Sequence, residues 1–151
     1  MRIVVQRVAS ARVVTEEGVV ASIGKGILVL AAFRRGDSGE QLDWMARKCL
    51  EVRIFEDAEG KMNRSVLEEE GEVLVVSQFT LYGNCRKGRR PAYTDSAPAE
   101  EAQGLYRKFL EILHMYYPKV AEGVFGARMK VHLVNDGPVT LIIDRDAEGQ
   151  G

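Results

Sequence analysis

The run EVLVVSQFTLYG, residues 72–83, starts like a strand and turns polar before it ends. Its first half is a continuous apolar stretch of the kind a sheet buries on both faces. Its second half sets Ser77, Gln78 and Thr80 within four residues of one another. Buried polar side chains are costly unless something hydrogen-bonds them, so either the fold or a ligand supplies partners. In an ideal strand Gln78 and Thr80 share a face with Leu74 and Val76, while Ser77 joins Phe79 on the other. The three converge only if the strand bulges or ends, or if backbone N–H groups are what matter. The alternative is that Thr80 simply favours strand structure and Gln78 bonds neighbouring backbone. The stretch alone leaves both open.

The flanks place this run in a mixed fold. Arg2 to Thr15, rich in Val and Ile, reads with EEG (16–18) and VVASI as a hairpin. ILVLAAF (27–33) is the longest strictly apolar run, a strand covered on both faces and far too short to span a bilayer. Asp37 to Val52 reads as a helix: Ser38 and Gln41 have capping-box spacing, and Leu42, Met45, Ala46 and Cys49 recur at helical period. RIF (53–55) resumes extended structure before the turn-rich EDAEGKM. The strand at 72 is expected to run to Gly83. Beyond the basic loop NCRKGRRP, a second helix is expected from about Pro98 to Tyr117, with Pro98 tolerated in its first turn. Its apolar stripe is Ala102, Leu105, Tyr106, Phe109, Leu113 and Tyr116. FGARMKVHLVNDGPVTLIID (125–144) reads as two strands around a turn at Asn135 to Pro138. The sum is an α+β fold in one domain, 1–151, dominated by antiparallel pairing.

Composition narrows the function classes. The 151 residues are 46% apolar and 28% charged with a formal net charge of -1, so any contact with a polyanion must come from a local patch. MRIVVQRV breaks its apolar run at Gln6 and Arg7, which argues against a signal peptide. Cys49 and Cys85 form no CxxC pattern, which fits a reducing cytosol and lends no support to a metal site.

Ordinary catalytic machinery is hard to find. His114 sits beside Glu111 and Lys108 on what reads as an exposed helix side, and His132 alternates with Lys130 on a strand. Neither has a carboxylate or thiolate at ligand spacing, so no zinc is expected, and neither is placed to activate a Ser or Thr nucleophile. Cys85, beside Arg86 and Lys87, is either an activated thiolate or an exposed loop cysteine, the latter preferred. Arg86, Lys87, Arg89 and Arg90 suit phosphate contacts, although a solvated basic loop is the commoner meaning of such a run. In VNDGPVT (134–140), Pro138 cannot donate to a sheet and must sit at an edge or in a turn. A cis Gly-Pro bond there would expose carbonyls to a ligand's ammonium; an ordinary trans turn is the default.

Taken together, MRIVVQRV, KMNRSV (61–66), SQFTL (77–81), KGRRP (87–91), QGLY (103–106), FGARM (125–129) and NDGPVT (135–140) resemble the D-aminoacyl-tRNA deacylase family. SQFTL and NDGPVT, about sixty residues apart, are the specific pair. One departure is that Pro98 falls one position early, which touches a helix cap and not the chemistry. The resemblance implies a cytoplasmic, barrel-like homodimer without cofactor. It would hydrolyse the ester between a D-amino acid and the terminal adenosine of tRNA. It further implies a cis Gly137–Pro138 pair entering the partner's active site, facing Ser77, Gln78, Phe79 and Thr80. Phe125 and Met129 would line an adenosine pocket with Ala102 at its wall, and Arg7 would brace the Gly-Pro loop. The basic residues Arg86, Lys87, Arg89 and Arg90 would hold the acceptor stem, with no membrane or DNA partner. Glycyl-tRNA, being achiral, would be a second substrate. The competing readings are a non-catalytic RNA-end binder and a thiol hydrolase built on Cys85.

Overall fold

A single long strand organises the chain. β1 (Arg2–Thr15) is flanked along one edge by β8 (Lys130–Asp144). Its other edge is shared, first by β3 (Gly26–Ala32) over Arg2 to Val8, then by β2 (Gly18–Ile23) over Ala11 to Thr15. The computed structural model, which describes residues 1–147, continues with α1 (Gly39–Glu51), β4 (Phe55–Glu56), β5 (Met62–Arg64) and β6 (Glu72–Ser77). A 3-10 turn (Phe79–Tyr82), α2 (Ala99–Tyr116) and β7 (Val120–Glu122) precede β8. The main sheet runs β2-β1-β3-β6-β7, and β2 curls back beside β6 and β7, so the sheet is barrel-like and nearly closed.

The sheet has two insides. Val8, Ala11, Val13, Ile23, Leu28, Leu74 and Val76 pack within the barrel. Ile3, Val5, Ile27, Val29, Val73 and Val75 face α1 and α2, meeting Leu42, Met45, Phe109 and Leu113. Each such side chain contributes about 1.5–3 kcal/mol when taken from water. β3 and β6 are therefore buried on both faces, as their unbroken apolar sequences require. Gly26 permits their close approach, since a Cβ there would lie 1.8 Å from the Glu72 carbonyl oxygen.

α1 starts where expected: the Ser38 N–H donates to the Gln41 side-chain oxygen at 2.8 Å, and Leu42 N–H to the Ser38 carbonyl at 3.2 Å. Three expectations need correction. The strand from 72 stops at Ser77 and does not reach Gly83, because β3 ends at Ala32 and β7 pairs only with Val73 to Val75. Residues 125–144 do not form two strands around a turn; β8 is one strand, held in line by β1 along its length. Antiparallel pairing dominates the sheet as expected, with β3–β6 and β6–β7 as its parallel pairs. Tyr116 leaves the apolar stripe, 47% exposed with its hydroxyl donating to Asp43 at 2.6 Å, and Leu110 is buried in its stead.

Candidate active site

The end of β6 answers why Ser77, Gln78 and Thr80 stand together. They are not buried: Ser77 and Gln78 are half-buried, and Phe79 and Thr80 are exposed. The Gln78 N–H makes the last sheet bond, to the Ala31 carbonyl at 2.7 Å, and the chain then tightens into the 3-10 turn. The turn's first internal bond is Leu81 N–H to the Gln78 carbonyl at 3.2 Å. The N–H groups of Phe79 and Thr80 precede it and have no acceptor within the turn. The Gln78 side-chain amide donates to the Thr80 hydroxyl at 2.6 Å. Arg2 fastens the far end, donating to the Leu81 carbonyl at 3.0 Å and to Asp144 at 2.8 Å.

Ser77, Gln78 and Phe79, but not Thr80, line one end of a cavity of about 640 Å³, within the usual range for small-ligand sites. Val76 to Phe79 line it together with Ala102, Phe125 and Met129, three residues expected at an adenosine pocket. Tyr106 does not line the cavity but packs against Phe125, which does: its hydroxyl donates to the Val75 carbonyl at 3.2 Å and its ring lies 5.7 Å from Phe125. Burial pushes the Tyr106 phenol well above its ordinary value, so it remains a neutral donor. Gly123 makes room for Met129, whose sulfur would lie 2.9 Å from any Cβ there. At the mouth, Phe79 and Tyr93 meet edge to face at 5.2 Å. Tyr93, Ser96 and Arg35 also line the cavity and were not anticipated; the sequence around them is unpatterned loop.

The basic loop leaves and re-enters this mouth. Asn84 and Ala92 pair across its base by two backbone bonds of 2.7 and 2.9 Å. Arg86, Lys87, Arg89 and Arg90 are all exposed, and none has a carboxylate at ion-pair distance among the described residues.

NDGPVT is a bulge and not a hairpin turn. Thr140 pairs with Gln6 and Asn135 with Val8, so Asp136 to Val139 stand opposite Arg7 alone. The Gly137–Pro138 bond is cis, and both residues are exposed. Arg7, only 6% exposed, donates to the Asp136 carbonyl at 2.9 Å and to the Ile54 carbonyl at 2.7 Å, with the Asp136 carboxylate at 3.4 Å. Asn135, which sequence reasoning passed over as a turn residue, donates to the Arg7 and Val139 carbonyls at 2.9 and 3.1 Å.

One chain does not bring bulge and cavity together. Arg7 pairs with Ile27, four positions before Ala31, which pairs with Ser77. At about 3.3 Å per residue the two lie roughly 13 Å apart along the strands, with β3 between them. His114 and His132 are exposed and line no part of the cavity; His132 faces Arg12 at 3.4 Å. Cys85 is exposed in the loop and also absent from the lining, and Cys49 is buried, its thiol pushed up to about 12 by desolvation.

Comparison with known proteins gives a consistent result. The family model described as D-Tyr-tRNA(Tyr) deacylase matches residues 4–144. A D-aminoacyl-tRNA deacylase of Thermotoga petrophila is 52% identical over 144 residues, covering 95% of this chain and 97% of that protein. One from Petrotoga mobilis is 54% identical over 145 residues, with the same coverage. A solved structure of a c-Myc DNA unwinding element binding protein is 42% identical with a TM-score of 0.92, covering 97% of this chain and 100% of that one. A probable eukaryotic D-amino acid tRNA deacylase shares the fold at 19% identity, with a TM-score of 0.84 over 95% of this chain and 98% of that one.

Proposed function

The chain belongs to the D-Tyr-tRNA(Tyr) deacylase family, and from that premise we propose how it hydrolyses the ester joining a D-amino acid to tRNA. The terminal adenosine enters the cavity between Ala102, Phe125 and Met129, which sets its ester against Ser77 to Thr80. The N–H groups of Phe79 and Thr80 hold the ester carbonyl and stabilise the oxyanion as it forms. Gly137 and Pro138 of a second copy hold the α-ammonium by backbone carbonyls. With both groups fixed, a D side chain points to solvent and an L side chain meets rigid main chain. A thousandfold rejection of L requires about 4 kcal/mol, which a clash with backbone supplies more readily than a soft pocket. Glycine escapes this filter, so glycyl-tRNA is a second substrate.

Water attacks the ester, positioned by the adenosine's free ribose hydroxyl. What supports this is the company Thr80 keeps: its hydroxyl accepts from Gln78, and neither histidine lines the cavity. Work on tRNA fits an enzyme of the cytosol, with the basic loop on the acceptor stem.

The observation that carries the reading is the apolar cavity lined at one end by Ser77, Gln78 and Phe79, where the chain enters a turn whose first internal bond comes only at the Leu81 N–H. That the Gly-Pro bulge lies outside its own chain's cavity supports a homodimer. Val134 (57% exposed) and Ile142 (69%) flank the bulge on β8 and offer an apolar face for the second copy. The test is ester loss from D-tyrosyl-, L-tyrosyl- and glycyl-tRNA incubated with purified protein. Rapid loss of the D and glycyl esters with the L ester spared is expected. Binding of all three without turnover would instead favour an RNA-end binder.

A further inference from the structure

We propose that Asn135 is a positioning residue for chiral selection, a role resting on the reading that the Gly-Pro bulge senses the α-carbon. A bulge of four residues opposite one breaks the ladder, and the carbonyls at its neck lose their usual partners. The side-chain NH2 of Asn135 replaces them: one donor group serves Arg7 of β1 and Val139 of β8, at the two sides of the neck. Arg7 returns from below to fix the Asp136 carbonyl, and Val139 is anchored in the core at 6% exposure. Asp136 and Val139 are thereby held, and Gly137 and Pro138 become a short tip between fixed ends. The other end of the same amide limits the tip directly, since a Cβ on Gly137 would lie 2.9 Å from the Asn135 side-chain oxygen.

Asn135 differs from Arg7 in what else it supports. Arg7 also holds Ile54, so its loss disturbs the segment leading into β4. Among the described residues, the Asn135 side chain is hydrogen-bonded only across the neck, on an otherwise exposed residue. Its removal loosens the tip without opening the core. A loosened tip tolerates the side chain it formerly rejected, so the effect falls on the L substrate as a gain.

The experiment compares wild type with Asn135→Ala and with Asn135→Asp, which keeps the shape but lacks the donors. Initial rates on D- and L-tyrosyl-tRNA are measured on the same preparations, with thermal unfolding to confirm the fold. The expected result is an L rate at least fivefold above wild type in both variants, whatever the change on D. A smaller rise or a fall on L, including a parallel loss on both substrates, overturns the role of Asn135 while leaving the wild-type D preference intact. A wild type that hydrolyses D and L alike overturns the underlying reading, irrespective of the variants.

Discussion

Two strands of this sheet are interrupted, and the interruptions are opposite in kind. β6 ends: the Gln78 N–H is paired to Ala31, and the chain folds over itself into a turn that opens with Phe79, a residue of the cavity lining whose N–H has no acceptor within the turn. β8 does not end; four residues swell out of it, and side chains rather than backbone close the gap at Arg7 and Asn135. The first interruption makes donors available within one chain. The second fixes exposed carbonyl-bearing backbone roughly 13 Å along the strands from that chain's own cavity. In the proposed mechanism chemistry belongs to the turn and handedness to the bulge, and two copies are needed to unite them.

The largest effect should come from deleting Gly137 and Pro138. Turnover of D-tyrosyl-tRNA is expected to fall more than a thousandfold, about 4 kcal/mol, with the thermal midpoint little changed because both residues are exposed. Phe79→Pro tests the turn. Proline is tolerated at a first helical position but lacks the N–H, so kcat should fall about a hundredfold or more. Phe79→Ala, which removes only the ring, should cost under about tenfold; equal losses in the two would remove the donor from the account. Charge reversal at Arg86, Lys87, Arg89 and Arg90 should raise KM and flatten its salt dependence while kcat stays near wild type. A collapse of kcat would place the loop in the reacting centre. Thr80→Val should cost least, within about tenfold, if water and not Thr80 attacks the ester, as proposed. A loss of three decades with a trapped acyl-Thr80 adduct would reverse that assignment.

The same contrast explains what could be read from residues alone. α1 was legible from Ser38, Gln41 and its apolar period, and β3 from an unbroken apolar run, because local chemistry and tertiary burial agree there. At Phe79 to Tyr82 they disagree. Phe, Thr and Tyr favour strands, but a strand needs neighbours, and β3 and β7 have both run out. At Asn135 to Pro138, the hairpin signal was overridden by β1, whose 14 residues offer β8 a continuous partner. Asn135 then works across a bulge neck in place of a turn, which no local pattern announces. The cavity residues Phe125, Met129 and Ala102 were reached through family resemblance. Tyr93, Ser96 and Arg35 were not, since their place depends on loops meeting at the end of β3.

The sharpest test of division between two copies is a mixing experiment. Chains lacking Gly137 and Pro138 have an intact turn; Phe79→Pro chains have an intact bulge. Each alone is expected to be nearly inactive. Dissociated, mixed in equal amounts and allowed to reassociate, they should recover roughly a quarter of wild-type turnover on D-tyrosyl-tRNA, since half the dimers are mixed and each holds one complete site of two. A mixture no more active than the sum of its parts, with mixed dimers confirmed by native mass spectrometry, would mean that cavity and bulge do not meet across copies.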